Sequence, residues 1–197
     1  MFFSHSGDPP RGVPAQGYAT HVGGVIKRAS KAADEAGRYA SCDGELLGKI
    51  VPLAAEFHDL GKLDEENQEV LSGKRKARKL PIQHTDAGTA YLLDKFKVVS
   101  GAVLVRSHHI GLPDFIEEQN RNEEDVLRDD TVRKRVNQTL PELIKLHETA
   151  LRSTIGISES ISGILGDASL FFRIALSCLT DGDHSDTAIH YQNQTVH

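Results

Sequence analysis

The chain has 197 residues, of which 39% are hydrophobic and 26% charged, and its formal net charge is −5. A chain of this length can bury about 70% of the surface that its unfolded form exposes, so it needs neither a disulfide nor a structural metal to fold. The composition excludes a disordered chain, and the acidic surplus argues against a general nucleic-acid binder, whose phosphate contacts come from excess Lys and Arg. No run of roughly 18 or more apolar residues occurs, and the N-terminal residues have neither the charged start nor the apolar centre of a signal peptide. A cytoplasmic protein without a membrane partner is therefore expected. Cys42 and Cys178 are far apart without a CxxC spacing and read as reduced thiols. Ten histidines are many for this length, and their positions matter.

Residues 1–15 hold Gly7, Pro9, Pro10, Gly12 and Pro14 and read as an irregular leader. From Gln16 to Gly37 the set His21, Val25, Arg28, Ala32 and the set Val22, Ile26, Ala29, Ala33 recur at helical spacing, with His21 on or beside the inward face. A second helix, about Gly44 to His58, puts Leu47, Ile50, Val51, Ala54 and Phe57 on one face, with Pro52 expected to bend it. A short helix follows from Leu63 to Leu71. The run Lys74-Arg75-Lys76-Ala77-Arg78-Lys79 carries five positive charges in six residues. It is either a solvated loop or the place where a phosphate backbone lies.

After Pro81 a helix is expected from His84 to about Phe96, packing through Ala87, Ala90, Tyr91 and Leu93, and another from Val98 to Ser107, closed by His108-His109. Residues 114–153 are polar and read as a solvated helical elaboration, broken near Pro141, with His147 at the surface. The last helix, about Ser158 to Thr180, carries Ile161, Ile164, Leu165, Ala168, Phe171, Phe172, Ala175, Leu176 and Leu179 and is expected to end at Asp181. Residues 188–197 form an uninformative tail. No strand periodicity is visible, so the expectation is a single all-α domain over residues 1–197.

Three of these helices end in ligand-type side chains: His58-Asp59, His108-His109 and Asp181. A neutral imidazole beside a carboxylate offers nitrogen and oxygen to one divalent cation, and the second oxygen of Asp59 stays free to bridge to another. Each residue also has a plain structural role open to it. Asp59 with Gly61 can stop a helix, His21 can be a core histidine, His84 can start a helix, His108-His109 can be an exposed turn, and Asp181 can be a cap. A metal cluster replaces these five separate coincidences with one.

With these residues in place, the sequence resembles the HD superfamily of metal-dependent phosphohydrolases, whose pattern H…HD…D is filled in order by His21, His58-Asp59 and Asp181. Within it, the chain is most similar to the HD nuclease domain of CRISPR type I systems, usually joined to a helicase. That likeness rests on Phe57-His58-Asp59-Leu60-Gly61-Lys62, on His84 opening a helix, on Ser107-His108-His109-Ile110-Gly111-Leu112-Pro113 and on Thr180-Asp181-Gly182-Asp183-His184-Ser185-Asp186-Thr187. It spans residues 21–187.

The resemblance implies a compact helical bundle around a metal site, with one ion on His21, His58, Asp59 and Asp181 and a second on Asp59, His84, His108 and His109. Asp183 would stand behind the ligands. Asp59 and Lys62 would be the catalytic pair, Lys62 either stabilising phosphate charge or only satisfying helix-end carbonyls. Imidazole and carboxylate donors favour one or two ions of Mn, Fe, Co or Ni over Mg or Ca. The implied activity is cleavage of single-stranded DNA in CRISPR interference, with a helicase and through it an effector complex as partners. Lys74, Arg75, Lys76, Arg78 and Lys79 would then be candidate nucleic-acid contacts. The alternatives are a phosphohydrolase of a nucleotide or cyclic dinucleotide, and a non-catalytic metal-stabilised binding module. No glycine-rich phosphate loop of the Walker type is present, so no ATPase is expected of this chain.

Overall fold

The computed structural model describes residues 1–39, 44–151 and 169–192 and is mostly helical. In chain order these are α1 (Tyr18–Tyr39), α2 (Gly44–Phe57), α3 (Glu65–Leu71), α4 (Thr85–Tyr91), α5 (Val99–Ser107), α6 (Phe115–Gln119), α7 (Arg133–Leu151) and α8 (Ser169–Gln192). A tight 3₁₀ turn at Leu60–Leu63 follows α2, and a wider π-helical turn at Leu92–Phe96 continues α4. Among the described residues, no helix is long and apolar enough to cross a membrane.

The reason α1 sits at the centre lies in its spacing. Tyr18, His21, Val22, Val25, Ala29 and Ala33 are all buried and share one stripe, which packs along both α2 and α8. From α2 come Leu47, Ile50, Val51 and Ala54, all fully buried, and the helix continues through Pro52. α5 packs on α2 with Val103, Leu104 and Val105, and α4 packs in turn on α5 and α7 with Ala87 and Ala90. One glycine decides how closely two segments meet. The Gly61 N–H donates to the His84 carbonyl at 3.2 Å, and a Cβ at Gly61 would run into that same carbonyl. The turn after His58-Asp59 is thereby held directly against the residue that precedes α4.

Several expectations are corrected. The leader contains a strand, β1 (Phe3–His5), paired antiparallel with β2 (Gln16–Gly17). It is fixed by the Gln68 amide, which accepts from Phe3 N at 3.0 Å and donates to Phe3 O at 2.8 Å. α7 is not broken at Pro141. Pro141 is exposed, and so is Asn137, whose carbonyl loses its helical donor, so water can satisfy it. His147 is buried, not at the surface, because the Tyr18 hydroxyl lies 2.8 Å from its Nδ1 and its ring packs 4.9 Å from that of Phe57.

The 114–153 segment is also more than a solvated elaboration. Arg128 reaches the fully buried Asp86 through two hydrogen bonds of 3.0 and 2.8 Å, and Arg135 reaches Asp64 at 2.9 Å. Cys178 is buried, and burial, followed by Asp181, raises its thiol pKa, in keeping with an inert reduced cysteine. Cys42, Ile161, Ile164, Leu165, Ala168 and residues 193–197 of the tail lie outside the described residues.

Candidate metal centre

The site forms where the start of α1, the end of α2, the start of α4, the end of α5 and the middle of α8 converge. His21 lies in the first turn of α1, with Nε2 3.4 Å from Asp59 Oδ2 and 3.2 Å from Asp183 Oδ1. His58 follows α2 and brings Nε2 to 3.6 Å from the same Asp59 oxygen and 3.9 Å from Asp183 Oδ1. On the other side, His84 Nε2 is 3.6 Å from Asp59 Oδ1 and 3.1 Å from His109 Nε2. Among the described residues, His21 with His58 and Asp59, and His84 with His108 and His109, each place ligand atoms within 4.8 Å of one another. Each group could hold a metal ion, and a third of the same kind is His5 with His21 and Asp183.

The other nitrogen of three of these imidazoles is tied down. His58 Nδ1–H donates to the Ala55 carbonyl at 2.7 Å, and His108 Nδ1–H donates to Val105 O at 2.7 Å, which leaves Nε2 of each facing inward. His21 Nδ1 lies 2.9 Å from Asp186 Oδ2. Asp186 is held in turn by Gln16 Nε2 at 2.7 Å and Arg28 Nη1 at 2.9 Å. Asp186 approaches so closely across Gly24 that any side chain there would strike it.

The donor set fits a cation on the observation that polar atoms are buried without partners. His21 Nε2, His58 Nε2, His108 Nε2 and Asp59 Oδ1 are buried and lack a hydrogen bond of good geometry, while Asp59 Oδ2 is met by Lys62 Nζ. Natural proteins leave few such atoms, and four converging on one place need a common partner. The 3.1 Å between His84 Nε2 and His109 Nε2 is a spacing that two nitrogens can take on one ion with bonds of about 2.0–2.1 Å.

Electrostatics supports the same use. Burial, then Lys62, holds His84 well below its usual range, and burial likewise lowers His109. Burial, then His58, lowers His108 to about 3. These imidazoles are neutral at ordinary pH with lone pairs available. For Asp59, burial pushes the pKa up, but the charges of His58, Lys62 and His21 outweigh it and keep the carboxylate ionised. Lys62 is buried, with Nζ 2.8 Å from Asp59 Oδ2.

Asp181 is where the structure departs from the sequence reading. α8 does not end at Thr180 but runs to Gln192, and on it Asp181 points outward while Asp183, 4% exposed, faces His21. The inward stripe continues as Leu179, Gly182, Asp183 and Asp186, which keep the three- and four-residue spacing. Carrying the helical phase past Thr180 would have found both aspartates. His5 was also missed. Its ring stands edge-on 4.6 Å from that of His21, and Nε2 lies 3.2 Å from Thr187 Oγ1. A lone histidine in a Pro- and Gly-rich leader carries no periodic signal, and only the β1–β2 pairing brings it there. The sequence placed His21, His58, Asp59, Lys62, His84, His108 and His109 as candidates, and the structure gathers all seven.

Comparison of the chain with protein-family models, with curated proteins and with solved structures gave no match.

The two sides of the site can be separated by counting metal. His84→Ala or His109→Ala is expected to lose about one bound ion of two, and His21→Ala or Asp183→Ala the other. Asp181→Ala should change nothing. Elemental analysis of dialysed protein checks this, and equal loss of both ions in all four ligand variants would refute the division.

The metal-free protein should also be most stable near pH 6.5–7. Burial, then Lys62, lowers His5 to about 3, and His108 is lowered similarly, so below the ordinary value of 6.5 the unfolded chain binds protons that the folded one refuses. Each costs about 2 kcal/mol of stability at pH 5. His21 has the opposite sign. Burial lowers it, but its bonds to Asp183, Asp186 and Asp59 raise it to about 10, so its stabilisation is complete below 6.5 and is lost toward pH 10. Melting temperatures in EDTA from pH 5 to 10 should trace a maximum, and a flat profile would contradict these assignments.

Proposed function

We propose that this chain is a metal-dependent phosphodiesterase that cleaves single-stranded DNA, using two divalent transition-metal ions. The observation that carries the reading is the position of Asp59, whose Oδ2 faces His21 and His58 while Oδ1 faces His84. One buried carboxylate joins two donor clusters. On this reading His21, His58, Asp59 and Asp183 hold one ion, and Asp59, His84, His108 and His109 hold the other. The mixed imidazole and carboxylate donors favour Mn, Fe, Co or Ni. Bound there, such a pair supplies a polarised phosphoryl oxygen and an activated water for in-line displacement.

The chain's own groups prepare that chemistry. Asp186 and the carbonyls of Ala55 and Val105 hold three imidazoles in the orientation that aims Nε2 inward. Lys62 places a buried positive charge beside Asp59, where phosphate charge would collect. His109 is exposed, so the cluster is reachable from solvent, which favours catalysis over a sealed structural site. An open groove of about 540 Å³ adjoins His108 and His109, and an open site suits a polymer better than a nucleotide or cyclic dinucleotide, which a pocket would enclose. The resemblance to the HD nuclease domain of CRISPR type I systems supplies the setting: a helicase that feeds the strand and, through it, an effector complex.

Circular single-stranded DNA is the decisive substrate, because only an endonuclease cuts a molecule without ends. Metal-depleted protein restored with Mn, Co or Ni is expected to linearise it without ATP and to leave blunt duplex nearly intact. No cleavage with any metal, beside rapid turnover of a nucleotide, would replace the nuclease with the phosphohydrolase.

The basic run remains a candidate for binding the strand within this proposal. Lys74, Arg75, Lys76, Arg78 and Lys79 are all exposed, and Arg75 is partly neutralised by Glu66 at 3.2 Å. Replacing all five with Gln should flatten the salt dependence of single-strand binding by about 0.7 in log–log slope for each phosphate that the run had neutralised. Hydrolysis of a small chromogenic phosphodiester should persist. An unchanged slope would make the run a solvated loop.

A further inference from the structure

We propose that the groove between the end of α5 and the outer face of α8 is the track for a single DNA strand beside the metal centre, with Arg173 binding a phosphate remote from the one being cut. This rests on the phosphodiesterase reading and adds to it a binding site of defined chemistry. The groove, about 540 Å³, is lined by Ser107, His108 and His109 on one side and by Arg173, Ser177 and Thr180 on the other. Arg173, Ser177 and Thr180 follow one another at spacings of four and three along α8, and Asp183 lies one turn beyond Thr180 on the way to His21. The same helix therefore carries both the groove wall and a candidate metal ligand.

A further feature points to a polar occupant. Ser107, which lines the groove, is 1% exposed, and its Oγ is buried without a hydrogen-bond partner. An unpaired polar atom in the wall of a groove favours a ligand that brings its own donors and acceptors.

Arg28, Arg128 and Arg135 are each paired with an aspartate, whereas Arg173 is exposed and, among the described residues, has no ion-pair partner. A free guanidinium presents a planar fork that matches two phosphate oxygens.

The geometry sets the register. From Arg173 to Asp183 is ten residues of helix, about 15 Å along the axis. A group placed that far along the helix from Asp183 can hold a flexible strand that extends from the metals. A stiff duplex would have to unpair to follow the groove into the buried cluster. Arg173 is accordingly a binding residue, whose loss weakens strand capture.

The test measures binding apart from catalysis. Fluorescence anisotropy of a labelled oligothymidylate of about 12 nucleotides, recorded in EDTA over a salt series, should show Arg173→Glu binding at least about 5-fold more weakly, with a log–log salt slope smaller by about 0.7. Arg173→Lys should recover most of the slope because the charge remains. With metal restored, Arg173→Glu should carry the same metal content as the unaltered protein. Equal affinity and slope in Arg173→Glu, or no strand binding by the unaltered protein, would overturn the proposal. Failure of the unaltered protein to hydrolyse the chromogenic ester with any metal would instead refute the phosphodiesterase reading, while the anisotropy series still decides the groove.

Discussion

Asp59→Asn is expected to lower metal-dependent cleavage at least about 1,000-fold while the protein remains helical. The carboxylate is fully buried, and its two oxygens face different histidine clusters, so its loss removes a donor from both sides at once. Removing a partner one step out from a metal typically costs 10- to 100-fold, and a shared ligand should cost more. Asparagine keeps the volume and one oxygen, so the packing around His21, His58 and Lys62 need not collapse. Circular dichroism and the chromogenic assay, run with excess metal, separate loss of chemistry from loss of fold. Near-normal turnover in a folded Asp59→Asn protein would end the two-ion reading.

Asp86→Ala should have the largest effect on stability, about 3–5 kcal/mol. Asp86 is completely buried and receives Arg128 Nε at 3.0 Å, Arg128 Nη2 at 2.8 Å and Asp129 N at 2.8 Å. Arg128 is itself only 6% exposed, so truncating the aspartate strands a guanidinium and an amide away from water. Against the total stability of about 5–15 kcal/mol usual for a domain, that loss is severe. Urea unfolding measures it, and the double variant Asp86→Leu with Arg128→Met should recover much of the loss, since an apolar pair leaves no unpaired charge. A change below about 1 kcal/mol in Asp86→Ala would show that the pair is not holding α4 to the 114–132 segment.

This buried pair marks where the sequence was hardest to read. Asp86 near a helix start looks like an ordinary favourable charge, and Arg128 lies in a run of acidic residues, so nothing local joins them across 42 positions. His147 was misplaced for a similar reason. Its neighbours along α7 are polar, but its ring fills the space between Tyr18 and Phe57 on two other helices. In both cases the deciding interactions join elements distant in the chain, and helical periodicity carries no information about them.

The all-helical fold was legible in the residues alone, because apolar side chains at spacings of three and four mark α1, α2, the start of α4, α5 and the described part of α8 without reference to one another. Seven of the candidate ligands and charges were legible too, since His58-Asp59 and His108-His109 stand where apolar runs stop. Which aspartate of α8 enters the site came from the docking of the helices. The distinction between Asp181 and Asp183 is a rotation of about 200° around one helix, fixed by the packing of Leu179, Gly182 and Asp186 against α1. His5 likewise reaches His21 only through the β1–β2 pairing, with Gln68 of α3 holding the other edge of β1. Short-range spacing specifies a helix and its apolar face, whereas the convergence of five segments on Asp59 is a property of how those faces dock.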